Sequence, residues 1–166
     1  MKKVLYRWIT GVLLAGWMLG IFMFSAQPAV ASDKMSGSVA YRVVELCDQM
    51  FHMEWIETEL EDYARDINYP IRKAAHMTEY AALGILVFFC LIGYERCKKK
   101  VYWLALILAF FYAATDEVHQ LFVAGRAGRF SDVCIDTAGA AIGLLFIYIV
   151  RKIIGKHCEK KKLPLQ

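Results

Sequence analysis

The chain has 166 residues, of which 58% are apolar, 14% aromatic and 22% charged, with a formal charge of +4 at pH 7 and a mean hydropathy of +0.39. An ordinary soluble domain is about 45–50% apolar, so the composition excludes a disordered, fibrous or conventional water-soluble chain, and the length suits a single domain over 1–166. Five cysteines without CxxC or CxxH spacing argue against a disulfide scaffold or a structural zinc site, and no nucleic-acid partner is expected.

Four apolar runs, 4–24, 74–94, 101–118 and 133–150, are long enough to cross a hydrocarbon core, which needs about 20 helical residues and roughly 17 at least. The first run follows Lys2 and Lys3. Ala29-Val30-Ala31 after it resembles a signal-peptide cleavage site. The run is longer than the roughly 7–15 residues of a signal h-region, however, and Pro28 crowds the cut, so an uncleaved first span is expected. From Met35 through Val39, Val43, Leu46 and Met50 to Leu60, Ala64 and Ile67, apolar residues recur at three- and four-residue steps with acidic residues opposite. This predicts an amphipathic surface helix or helix pair within 25–71. Ser32 or Asp33 is the expected cap and Pro70 the expected stop. Such a segment packs on the bundle or lies as a lid in the membrane interface.

Lys and Arg set the orientation. Lys2, Lys3 and Arg7, the four bases of the 95–100 link, and six bases in the 151–166 tail make up 13 of the 20 basic residues, whereas 25–71 holds nine acids against three bases. The positive-inside rule then places both termini and the 95–100 link in the cytoplasm, with 25–71 and the 119–132 link outside. The expected architecture is an all-α membrane protein: four transmembrane helices in a bundle, both ends cytoplasmic, with an extracellular amphipathic segment between the first two spans and a basic tail, in the plasma membrane. Ala81-Ala82-Leu83-Gly84 is echoed by Ala140-Ala141-Ile142-Gly143. We read the echo, and the Gly139/Gly143 pair, as close helix packing rather than an internal repeat.

At ~1.5 Å rise per residue, Glu79, Asp116 and Asp136 fall in one layer about 21–23 Å from the cytoplasmic ends of their spans. His76, His119 and Asp132 fall about one turn further out. Arg72, His76 and Glu79 share a side of their helix, as do Asp116, His119 and Gln120, with Glu117 pointing elsewhere. Ser25 and Gln27 end the first span at similar height. An isolated charge in hydrocarbon costs on the order of 3 kcal/mol or more, so these side chains are expected to converge on an outward-opening pocket. A salt-bridge network that only fixes the bundle is the alternative. His76, Glu79, Asp116, His119, Asp132 and Asp136 suit general acid–base work; the i, i+3 pairs His76/Glu79 and Asp116/His119 also suit a divalent metal, though without a metal motif. A relay across the membrane would need ionisable groups through the lower two-thirds of the spans, where only Arg7 lies. Arg126 and Arg129, on the glycine-flanked Gly125-Arg126-Ala127-Gly128-Arg129 turn, suit a phosphate or carboxylate.

These residues carry a resemblance. Phe24-Ser25-Ala26-Gln27, Arg72-Lys73-Ala74-Ala75-His76 with Glu79-Tyr80 and Leu83-Gly84, and Asp116-Glu117-Val118-His119-Gln120 with Gly125-Arg126 resemble the VanZ-like family, as does Ser131-Asp132 through Asp136-Thr137-Ala138-Gly139. The resemblance runs from the first span to the fourth and implies an integral membrane protein of a family named for low-level teicoplanin resistance. It assigns no reaction. Teicoplanin-type glycopeptides act on lipid-linked peptidoglycan precursors at the outer face, so the resemblance points to an envelope component or the antibiotic itself as the partner. Ser25, Gln27, Arg72, Gln120, Arg126 and Arg129 are the expected binding groups. An enzyme, a shielding or binding protein, and a lipid transporter all fit these features.

Overall fold

The computed structural model describes residues 2–94 and 98–160, with 98, 99 and 155–160 described through the backbone alone. Part of the basic link expected at 95–100, including Arg96 and Cys97, and the tail beyond 160 lie outside the described residues. Among the described residues the fold is all-helical: α1 Lys2–Ser25, α2 Ala29–Phe51, α3 Glu57–Ile92, α4 Lys98–Gln120 and α5 Phe130–Lys160. α1, α3, α4 and α5 are each long and apolar enough to cross a membrane. Their outward surfaces carry exposed Trp8, Leu13, Trp103, Phe111, Leu145 and Phe146, as lipid-facing helices require.

The bundle is held along its axis by α3, α4 and α5. α4 buries a stripe at four-residue steps, Val101, Ala105, Ala109 and Ala113, all 0% exposed. It faces Tyr80, Leu83, Val87 and Phe88 of α3 and Ala140, Leu144 and Ile147 of α5. α3 and α5 run parallel and touch through their backbones: a Cβ at Gly84 would lie 2.8 Å from the Ala140 carbonyl oxygen, and Cβ atoms at Gly139 and Gly143 would run into the Met77 and Ala81 carbonyls. The two echoed sequences thus lie against each other in register, Gly84 on Ala140 and Gly143 on Ala81. That is the close-packing role expected of them.

α1 is peripheral, burying only Thr10, Ile21 and Ser25. It is fastened by side-chain donors onto backbone carbonyls. Arg7 Nη2 donates to the Gly93 oxygen at 2.8 Å, Tyr6 to Phe89 at 2.9 Å, Trp17 to Glu79 at 3.0 Å, and Tyr112 of α4 to Met18 at 2.6 Å. The N-terminal end of α1 therefore meets the C-terminal end of α3, and Arg151 of α5 lies over the Phe88 ring nearby. These contacts define one basic end of the bundle.

The segment between the first two spans is a helix pair, with two differences from expectation. α2 begins at Ala29 behind Pro28, so Ser32 and Asp33 lie inside its first turns and do not cap it. Proline presets a backbone angle suited to helix initiation and the first turn needs no N–H from it. The second difference is Pro70, which lies inside α3 and does not stop it. A proline there forfeits one helical hydrogen bond and costs about 3 kcal/mol. Packing on both sides outweighs this: Leu60, Ile67 and Ile71 join a small core of Ala40, Val44 and Ala64 between α2 and α3. The pair turns at 52–56, where His52 and Glu54 take left-handed backbone angles. Asp48 Oδ1 accepts the Trp55 N–H and Glu59 Oε2 the Ile56 N–H. With 36 residues, α3 is about 54 Å long against a ~30 Å hydrocarbon core, so its first half and α2 stand beyond the membrane at the end opposite the basic one.

The α3–α5 contact is testable. Gly143→Leu forces a side chain into the Ala81 backbone and should cost on the order of 1–3 kcal/mol, lowering the melting temperature of the detergent-solubilised protein by several degrees. Gly11→Leu, where a Cβ meets nothing within 4 Å, should leave it unchanged. Equal behaviour of the two variants contradicts the packing.

Candidate functional site

Above the apolar core, at the end opposite Arg7, the bundle changes character. The buried stripe of α4 continues from Ala113 one turn on to Glu117, only 5% exposed, with Asp116 at 3% and Gln120 at 4% beside it. From α5, whose first turn holds Asp132, Asp136 is 2% exposed. Together with α3 and the 121–129 link these groups enclose a cleft of about 210 Å³.

Its walls are bases and its floor is acids. Lys73 Nζ lies 2.6 Å from Asp132 Oδ2, and His76 Nδ1 lies 4.0 Å from Asp136 Oδ1. The second oxygen of Asp136 is buried without a hydrogen-bond partner among the described residues. Arg72 reaches across to α2, Nη1 to Asp33 Oδ1 at 3.0 Å, and Asn68 donates to the same oxygen at 3.3 Å. Arg126 donates from Nε to the Gln27 carbonyl oxygen at 3.1 Å and forms no ion pair with any described residue. Burial, then the nearby Arg72 charge, lower its pKa from the ordinary guanidinium value.

The link that carries the arginines is shaped by its glycines. Gly125 has φ +73°, the left-handed region that glycine enters without a Cβ penalty. Gly128 lies so close to the Glu117 carbonyl that a Cβ would collide with it. Two backbone bonds hold the link down: Glu117 Oε2 accepts the Arg129 N–H at 2.8 Å, and Ala124 O accepts the Ala29 N–H at 3.2 Å.

Of the residues expected at the site, Arg72, His76, Gln120, Arg126, Arg129, Asp132 and Asp136 line this cleft. Glu79 and Gln27 line a neighbouring, more apolar pocket that shares Arg72, His76 and Arg126 with it. Asp116 is buried behind Gln120, which donates to it at 3.3 Å. His119 turns to α1, its ring 4.3 Å from that of Phe22 and its Nδ1 without a partner among the described residues, and Ser25 Oγ is likewise buried, facing Asp116. The expected layers are offset by about one turn: His76 stands opposite Asp136, and the partner at Asp132's height is Lys73. Glu117, expected to point elsewhere, points inward, and the four-residue stripe from Val101 is the signal that identifies it. Lys73 was equally legible as a base directly preceding the second apolar run.

His76 and Asp136 are the one His–carboxylate pair that the cleft brings within 4.0 Å among the described residues. Among the described residues no three His, Cys, Asp or Glu side chains gather closely enough to hold a metal ion.

No curated protein and no solved structure matches the chain. The VanZ/LLP1 family model matches residues 10–151, a stretch that takes in most of the first and fourth spans, all of the second and third, the cleft and the glycine–arginine link, and the chain belongs to that family.

Proposed function

We propose that this VanZ/LLP1 protein sits in the plasma membrane with both ends cytoplasmic and binds, at the outer face, the anionic head of a lipid-linked envelope component, the class of molecule on which teicoplanin-type glycopeptides act. The reading rests on Arg126. Among the described residues its fork makes no ion pair with a carboxylate, it is half-buried at the mouth of the cleft, and burial and Arg72 disfavour its charge more than the more distant Asp116, Glu117 and Glu79 favour it. A phosphate relieves both penalties and accepts the bidentate donors that a guanidinium offers. An anion alone leaves the unpartnered Asp136 oxygen on the floor; a head group that also presents hydroxyls supplies the missing donor, as the glycan of a cell-wall precursor does. A second reading, turnover at the same cleft, draws on His76 facing Asp136 at 4.0 Å, which would act as general base and orienting carboxylate on closing to hydrogen-bond distance. A shielding protein would use the same groups without it.

The orientation follows from the charge asymmetry and has a direct check. Cys47 on α2 should react with a membrane-impermeant maleimide applied to intact cells, whereas a cysteine introduced at the exposed basic end by Lys152→Cys should not. The reverse pattern places the cleft on the cytoplasmic side.

Arg126→Lys keeps the charge and loses the fork, so it should lower anionic-lipid retention and teicoplanin tolerance partway, and Arg126→Gln should lower both further. Lys152→Gln at the opposite end should match the parent. Wild-type behaviour of Arg126→Gln in both assays rejects the anion site.

Asp136→Asn and Glu117→Gln separate the floor from the scaffold. Both are near-isosteric, so the protein should still insert and melt within a few degrees of the parent while tolerance falls. A collapse in melting temperature with unchanged tolerance per folded molecule makes the cluster a purely structural network.

A further inference from the structure

The cleft does not end at its polar floor. Through Arg72, His76 and Arg126 it joins a second pocket of about 170 Å³ between α1, α2 and α3, walled by Phe24, Met35, Val39 and Ile71. Phe24 and Glu79 are shared in turn with a third, of about 90 Å³, lying along α1 against Gly16, Trp17, Gly20 and Ile21. Gly16 and Gly20 are one turn apart, and a Cβ at either would meet nothing within 4 Å. These glycines therefore leave a furrow open, unlike Gly139 and Gly143, which serve helix contact. The walls around Phe24, Met35 and Val39 are about half exposed, so the furrow opens sideways where α2 meets the end of α1, at the membrane surface, and continues downwards along α1 from the cationic mouth.

We propose that this seam is an alkyl-chain site: a single chain of the same lipid whose head occupies the Arg126 cleft leaves the mouth between Phe24 and Val39 and runs down over Gly20 and Gly16. The proposal rests on the anion-binding reading and adds to it the class of ligand, an amphiphile and not a soluble phosphate or nucleotide. Shared walls and charge together carry it. The three residues at the junction line both compartments, Arg126 at the cleft makes no direct ion pair with a described residue, and beyond Glu79 the furrow has only apolar walls. Gly16, Trp17, Gly20 and Ile21 lie on a helix long and apolar enough to span the membrane, so a chain seated along them exchanges lipid contacts for protein contacts without entering water. Glu79 stands where head and chain meet, suited to accept a hydrogen bond from a hydroxyl at that junction.

The test uses the full-length protein in a mild detergent, with long-chain phosphatidylglycerol and chain-free glycerol phosphate as probes. Native mass spectrometry reads retained lipid, and the shift in melting temperature reads glycerol phosphate binding. Gly20→Phe fills the furrow without meeting backbone, and Val39→Phe narrows its mouth from the α2 side. Each should weaken phosphatidylglycerol retention about tenfold, as expected when the chain loses its van der Waals contacts with the furrow walls, and leave the glycerol phosphate response unchanged. Arg126→Gln should abolish both signals. If both furrow variants retain lipid like the parent, the alkyl-chain site is wrong while the anion site stands. If they lose the glycerol phosphate response as well, the seam is no separate compartment and the proposal falls. If the parent itself gives no glycerol phosphate response, the underlying head-group reading fails first.

Discussion

The closeness of α3 and α5 decides most of what this protein can do. Without side chains at Gly84, Gly139 and Gly143 the two backbones meet, and in a membrane such contact is a main source of helix association, because lipid tails compete on equal terms with any apolar side chain. Bringing the axes together has a consequence one to three turns further along. Lys73 and His76 of α3 come within reach of Asp132 and Asp136 of α5, which would face each other across a gap if larger residues separated the helices. The packing motif and the polar cleft are thus two parts of one contact, and a substitution in the first should be felt in the second.

The order of polarity along the bundle is equally constraining. Between Arg7 and Tyr80 the described interior is chiefly Phe88, Val87, Val101, Ala105, Leu144 and Ile147, an apolar layer whose buried polar side chain, Thr10, donates back to its own helix at the Tyr6 carbonyl. A molecule carried across the membrane would have to pass a stretch where its hydrogen bonds have no replacement. The cleft, by contrast, opens at one end only. This favours binding or chemistry on a head group held at one leaflet over transport of that head group to the other.

The spans are legible because hydrocarbon imposes a length that few other contexts require, and the polar cleft is legible because ionisable residues near the ends of such spans need a reason to be there. What the sequence obscured has physical causes. Pro70 is a local signal for a helix end, but the two-sided packing of Ile67 and Ile71 against α2 is a tertiary effect that no local rule contains. Glu117 was misassigned by comparing it with Asp116 alone, since neighbours about 100° apart are both buried when a helix is enclosed on two sides. Lys73 fell outside the polar layers drawn from ideal rise, because crossing helices shift in height relative to each other. Asp33, in a segment that reads as surface, reaches the site only through the turn at 52–56 that folds α2 back along α3.

That last contact bears on how the cleft admits a ligand. Arg72 is held by Asp33 and Asn68 at an edge where Asp33 is more than half exposed. An ion pair of this kind is worth about 0–1 kcal/mol, since water screens it and two side chains must be ordered to form it. It fixes the direction of Arg72 at small energetic cost and releases it at equally small cost when a stronger acceptor arrives. A phosphate at the cleft mouth competes on favourable terms, since it accepts from Arg126 as well. Arg126 has no such resident partner; its position is set by the Gln27 carbonyl and by a link that Gly125 and Gly128 hold against α2 and α4. One arginine is thus lent to α2 until needed and the other is kept ready. The Arg72–Asp33 pair ties α2 to α3 beside the seam without using the Arg126 charge on which the proposed head-group recognition rests.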